Sequence, residues 1–352
     1  MKVLFYILLF IILVDYISAQ NIRPVRDDVG FCWSAEDMNM LMEYLNKEII
    51  VKEESASGKF VAGISPHDDY LYAGRVYYPL YGSVKAKEVV VFGVTHGTVR
   101  SEINDPQNIL ILDEFDLWKG PYNNVEMSPL REIIKGKLDP DDFIVSNKAH
   151  IFEHSIEALI PWIQYNNRDF KITPIMVTAM PLEKMEEISW KMAVIIAGYI
   201  KENNLELGKD IFFLISSDAN HYGADFNNTP YGESEDAHRM GMEKDEQIAN
   251  NAFVGMLDEP KIENLTKELW EVNESGTPAR YWCGKYSIPF GLITIDEIVQ
   301  SLEGKRLEGK VLKYSDTWTE KVIPLKGTHM GLTAPFSLKH WVGFLSAGFY
   351  LK

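Results

Sequence analysis

Two runs in this chain, Glu88 to Val94 (EVVVFGV) and Asp210 to Ser216 (DIFFLIS), are apolar throughout their interiors and carry no polar alternation. A strand with one wetted face alternates polar and apolar residues. A continuous apolar run of this length belongs to a strand buried on both faces. Such strands lie inside a sheet that has helices above and below it, which makes the chain α/β. Strand patterns also cover Lys59–Ser65, Ile109–Leu112 and Lys171–Thr178, with closing strands at Lys310–Thr317 and Gly343–Leu351. Helical spacing of apolar residues runs from Ala35 to Glu53 behind an N-cap at Ser34, and from Leu182 to Glu202. Further helices are expected after Ser128-Pro129, over His154–Tyr165 with a bend near Pro161, and over His238–Met256, Pro260–Glu271 and Ile288–Ser301. Strands alternating with helices predict one sandwich with a central mixed or mostly parallel sheet. The 352 residues suit a single large domain, and nothing in them reads as a linker.

In open sheets of this kind ligands sit beyond the carboxyl ends of the strands. Three histidines fall there: His67 in Pro66-His67-Asp68-Asp69-Tyr70, His96 in Gly93-Val94-Thr95-His96, and His221 in Asp218-Ala219-Asn220-His221. One histidine at a strand end is more often structural than functional. Three at equivalent ends argue for a shared pocket. His67 and His96 offer neutral imidazole, and Cys283, between Trp282 and Gly284, offers a thiolate. Nitrogen and sulfur donors suit iron, copper or zinc and disfavour magnesium or calcium. Three protein ligands would leave a position open, as catalytic sites do. Asp218 lies three residues before His221, where its carboxylate can orient the imidazole for proton transfer. Glu153-His154-Ser155-Ile156-Glu157 is a second charged cluster, expected to supply supporting groups to the same pocket. His238 is expected on a solvated helix face, and His150, His329 and His340 lack comparable company.

The formal net charge of −16 opposes binding to nucleic acid or to an anionic membrane surface. Lys2, the apolar run Val3–Val14 and the small residues Ser18-Ala19 before Gln20 form a secretory leader pattern, with cleavage expected after residue 19. That predicts a leader over 1–19, a domain over 20–352, and a secreted or periplasmic product free of the membrane after cleavage. An uncleaved anchor is the alternative, although the run is short of the roughly 20 residues a span needs. Cys32 and Cys283 are the two cysteines, and their unlike settings favour two free thiols over a disulfide.

These motifs, in this order, resemble the Memo family, whose bacterial members are called AmmeMemoRadiSam system protein B. The resemblance runs from about Arg23 to the end of the chain. Arg23-Pro24, Gly30-Phe31-Cys32-Trp33, Pro66-His67 with Tyr70-Leu71-Tyr72-Ala73-Gly74, Asp218 to Gly223 and Cys283-Gly284 carry it, and Glu153-His154-Ser155-Ile156-Glu157 is its most specific match. The resemblance implies a fold similar to class III extradiol dioxygenases, which use non-haem iron. It also implies a metal position built from His67, His96 and Cys283, with Asp218 and His221 beside it. Asp68-Asp69 depart from the family's Ala-Gly at those positions. The expectation is an iron- or copper-dependent oxidoreductase acting on a small molecule. The alternative is a protein that holds metal, or grips a peptide, in the same pocket without turnover. A zinc hydrolase fits the ligand types but has no supporting nucleophile motif.

Overall fold

The structure is a computed structural model that describes residues 20–49, 59–271 and 282–352. The expected leader and Tyr281 lie outside these residues.

The elements that frame the site are α1 (Ala35–Glu48), β1 (Phe60–Ser65), α2 (Tyr70–Tyr81), β2 (Glu88–Val94), β3 (Lys171–Val177), α3 (Leu182–Glu202), β4 (Ile211–Ser216), α4 (Glu235–Phe253), α5 (Ser287–Glu303), β5 (Leu307–Asp316) and β6 (His340–Leu351). The centre of the sheet runs β3-β2-β4-β1-β6-β5. The first four strands are parallel, and β6 and β5 close the sheet antiparallel. The α/β sandwich expected from the buried runs is therefore present. Alternate residues of each central strand serve opposite layers. In β2, Val90 and Phe92 join the core under α3 and α5, while Val89 and Val91 join the core under α1 and α2. In β4, Phe213 and Ile215 go to the first layer and Phe212 and Leu214 to the second. Both layers are apolar, so the strands show no polar alternation.

Ser34 caps α1 as expected, accepting from the Asp37 N–H at 3.1 Å. Helix α2, by contrast, was not expected. It is rich in tyrosine and contains Pro79, both poor helix signals. Its stability comes from tertiary packing: Tyr70, Tyr77 and Tyr81 place their rings 5.4, 5.0 and 5.5 Å from that of Trp162. The expected single helix over His154–Tyr165 is also corrected. A short helix ends at Phe152, a 3₁₀ turn spans Glu157–Leu159, and the helix proper runs Ile160–Asn166. Pro161 sits in its first turn, where a missing N–H costs nothing, so it does not bend the helix. His154 and Ser155 are thereby left in a tight connection between elements rather than on a helix.

Both cysteines are free. Cys32 is buried against the Met330 sulfur at 3.1 Å, and burial, with the nearby Asp37 carboxylate, pushes its thiol pKa far up. His238 is buried rather than solvated. Its Nε2 lies 3.1 Å from Asp316 and its ring meets Trp341 edge-on at 4.9 Å. No described helix is long and apolar enough to cross a membrane.

Candidate metal centre

β1, β2 and β4 run in parallel, so their carboxyl ends deliver His67, His96 and Asp218 to one rim of the sheet. The connection Glu153–Glu157 lies across that rim. It can approach because residue 93 is glycine: a Cβ there would stand 2.4 Å from Ile156. Ser155 then zips onto the strand end, its Oγ accepting from the Val94 N–H at 3.0 Å. Cys283 arrives from the opposite side. A lone antiparallel bridge pairs Trp282 with Asn220, and Gly284 lies so close to Ser217 that a Cβ would meet Ser217 Oγ at 2.2 Å. The Ser217 hydroxyl accepts from the Gly284 N–H at 3.1 Å and fixes this turn.

His67 is 1% exposed. Its Nδ1 lies 2.7 Å from Ser216 Oγ, and that hydroxyl gives its own proton to the Ser155 carbonyl at 2.7 Å. Ser216 can therefore only accept from the ring, which places the imidazole proton on Nδ1 and leaves the Nε2 lone pair open. Nε2 faces Asp218 Oδ2 at 3.2 Å and Cys283 Sγ at 3.3 Å. Burial and the positive fields of His96 and His154 hold the His67 pKa well below its ordinary value, so the ring is neutral.

His96 is oriented by a charge. Its Nδ1 lies 2.8 Å from Glu153 Oε1, and its backbone N–H donates to Oε2 at 3.0 Å. Glu153 Oε1 also accepts from the N–H groups of His154 and Ser155 at 2.9 and 2.8 Å. Burial alone would lift the Glu153 pKa, but His96 and these donors drive it below the carboxylate range. Burial likewise pulls the His96 pKa down, and the Glu153 carboxylate outweighs it, so the net direction is up. His154 stacks on His96 with ring centres 4.6 Å apart. Burial, then the neighbouring His96, lowers its pKa to about 4.

Among the described residues two trios have their donor atoms within 4.8 Å of one another, His67/His96/His154 and His67/Asp218/Cys283. They share His67. The expected ligands His67, His96 and Cys283 are thus distributed over both trios. The two residues added by the structure are His154, expected only as support, and Asp218, expected to orient His221. The Asp218 carboxylate engages His67 at both oxygens, taking the backbone N–H on Oδ1 at 2.9 Å and facing the ring with Oδ2. His221 sets Nδ1 3.3 Å from the Ala219 carbonyl and lines a separate cavity of about 240 Å³ together with Asp68, Asp69 and His340.

Burial raises the Asp218 pKa to about 7. Burial and then Asp218 raise the Cys283 thiol, although the Asp218 N–H donates to its sulfur at 3.0 Å. These shifts keep the thiol protonated and bring the acid near its midpoint at neutral pH. The donors are imidazole, carboxylate and thiol, with the His67 lone pair already aimed. That set fits a first-row transition metal, which would displace these protons on binding.

The remaining motif residues have identifiable tasks. Glu157 forms a buried ion pair with Arg23 and accepts from the N–H groups of Arg26 and Asp27. Arg23 also donates to the His150 and Glu153 carbonyls at 2.7 and 2.6 Å, so the N-terminal segment clamps the rim connection. Asp69 accepts from the Thr333 N–H at 2.6 Å and ties down that loop. Asp68 faces inward, and burial followed by Asp218 and Asp69 raises its pKa. His329 is exposed beside Asp37, away from the site. Larger hollows lie between helices around Leu265 and Glu263, and neither trio lines them.

A second cavity, of about 180 Å³, opens beside His96 and Cys283 and is lined in part by Arg100, Lys285 and Tyr286.

Comparison with known proteins bears on this site. The Memo family model, that of Memo-like proteins, matches residues 32–317, a span that contains every residue of both trios. A MEMO1 family protein of Methanococcoides burtonii is 31% identical over 172 residues, 48% of this chain and 58% of that protein. One from Aquifex aeolicus is 31% identical over 192 residues, 53% of this chain and 62% of its own length. The chain thus spans less than two thirds of either relative. One from Saccharolobus islandicus is 29% identical over 251 residues, 69% of this chain and 72% of that protein.

Proposed function

Because this chain belongs to the Memo family, we propose that it binds one iron or copper ion at the strand-end site and uses it in oxidoreductase chemistry on a small molecule. The observation that carries this reading is the convergence of His67 Nε2, Asp218 Oδ2 and Cys283 Sγ within 3.3 Å of the imidazole nitrogen. Three ligand-type atoms from three segments of chain meet there. His67 and Cys283 are the proposed anchors. Asp218 completes the buried trio, and His96, held by Glu153, faces the same position from the rim. A metal bound there would supply an open coordination position and electron exchange with the substrate. The chain's own groups supply the rest. Asp218 takes the His67 backbone N–H on Oδ1, which holds Oδ2 toward the ring and the metal position. His221, facing the cavity it shares with Asp68, serves as the proton-moving base. The burial of His67 keeps bulk water from the innermost ligand.

The leader pattern over residues 1–19 supports export, so we place this activity outside the cytoplasm, in a more oxidising compartment where metal ligation would shield the Cys283 sulfur.

The test is the metal content of untagged protein, wild type beside Cys283→Ala, followed by an oxygen-consumption screen on the loaded protein. Stoichiometric iron or copper that is lost in the variant supports the site. Turnover that disappears in His221→Ala with metal retained supports the base. Metal without any turnover would favour a metal-holding or peptide-gripping protein, and no metal after anaerobic reconstitution would overturn the reading.

A further inference from the structure

We propose that the cavity beside His96 and Cys283 is a binding site for a small organic carboxylate, held by Arg100 and Lys285 with its apolar body against Tyr286. The inference rests on the preceding reading for its purpose, which is to present substrate to the metal position. It stands on separate residues for its chemistry.

The chain carries a net charge of −16, yet this cavity has two cations on its wall. Placing like charges together costs energy unless an anion joins them. Arg100 folds back along its own short helix, with Nη2 3.6 Å from where a side chain on Gly97 would begin, and it lines the same cavity as His96. Its Nε–H is buried and has no hydrogen-bond partner among the described residues, although its Nη1 lies 3.6 Å from Asp105. The side chain as a whole is 36% exposed and lines the cavity, so a ligand can reach the guanidinium and offer the acceptor that Nε lacks. Lys285 lines the same cavity, and its Nζ lies 5.3 Å over the Tyr286 ring.

Charge counting selects the ligand. Arg100 and Lys285 contribute two positive charges and Asp105 removes one, while the His96 ring is balanced by the ionised Glu153 it pairs with, leaving one. That balance matches a monoanion and falls short of a phosphate dianion. The planar guanidinium presents paired donors suited to a carboxylate. Val94, Val177 and Ala179 make the opposite wall apolar, and a space of about 180 Å³ admits a body of roughly one ring.

The test is calorimetric titration of the full protein, metal-free and metal-loaded, with benzoate, uncharged benzamide and inorganic phosphate. Benzoate is expected to bind in both forms, at least tenfold tighter than benzamide. Arg100→Gln and Lys285→Gln should each weaken benzoate about tenfold, with Arg100→Lys restoring only part. Equal affinity for benzoate and benzamide, preference for phosphate, or full affinity in the double variant would overturn the proposal. Thermal unfolding of each variant separates lost binding from lost folding. If a variant fails to fold, the benzoate-to-benzamide ratio in wild type still decides. Metal content, measured on the same samples, reports the metal reading independently: a protein that takes up no metal after reconstitution yet binds benzoate sinks that reading and leaves this one standing.

Discussion

His67 and His96 occupy equivalent places, each two residues beyond a parallel strand, yet the protein treats them oppositely. His67 is held by an uncharged relay from Ser216 to a backbone carbonyl, and its pKa is driven down. His96 is held by an ionised, fully bonded carboxylate, and its pKa is driven up. Both arrangements occupy Nδ1 and free Nε2, so both rings are presented as ligands. They differ in charge at rest. The buried ring is kept neutral and ready for a metal, while the rim ring is poised to carry a proton. Equivalent position in a fold therefore does not imply equivalent chemistry. The second layer of contacts decides it.

The largest expected effect comes from removing the ring common to both trios. His67→Ala should abolish stoichiometric metal binding, whereas His96→Ala should retain a weakened site through Asp218 and Cys283, as read by metal analysis after dialysis. Equal loss in both would erase the proposed difference. Next is the orienting carboxylate. Glu153→Gln should lower metal affinity by about 10–100-fold in a chelator competition, the usual cost of losing such a partner. The same substitution should bring the His96 pKa down, visible as a shift of its ring protons in an NMR titration, while His67 stays unprotonated throughout. The sign for stability follows. A raised His96 pKa contributes stability that is present below pH 6.5 and lost as pH rises through the folded value, so metal-free wild type should lose more stability than Glu153→Gln between pH 6 and 8. Metal affinity moves the other way. Asp218, raised to about 7, and the raised Cys283 thiol must give up protons, so apparent affinity should fall as pH drops from 8 to 6. The smallest effect belongs to Ser216→Ala. It removes a neutral hydrogen bond worth roughly 1 kcal/mol and should cost several-fold in affinity. A loss as large as that from Glu153→Gln would show that the two supports are equivalent after all.

Much of this was legible in the residues. The apolar runs of β2 and β4 announced the buried sheet, and histidines just past strand ends announced its rim. What stayed hidden was set by tertiary contact. Helix α2 is held by three tyrosines on Trp162, which no propensity scale registers. The relay through Ser216 was hidden because a serine at a strand end reads as a turn former; only the nearness of Ser155 gives its hydroxyl direction. His154 was legible as a member of the charged cluster but not as a possible ligand, since the expected helix would have pointed it differently. The contact of Asp218 with His67 was hidden for a similar reason: 151 positions separate the two residues.

The two missing side chains at Gly93 and Gly284 have an evolutionary consequence. They let three lengths of backbone lie at contact distance, and the ligands hang from that stack. A ligand is exchangeable in one step, since the close approaches at the two glycines do not involve the Cys283 or Asp218 side chain. The spacing is not, because any side chain at either glycine would force the layers apart. Descendants of such a protein can therefore change their metal, or abandon it, far more readily than they can move the place where it sits.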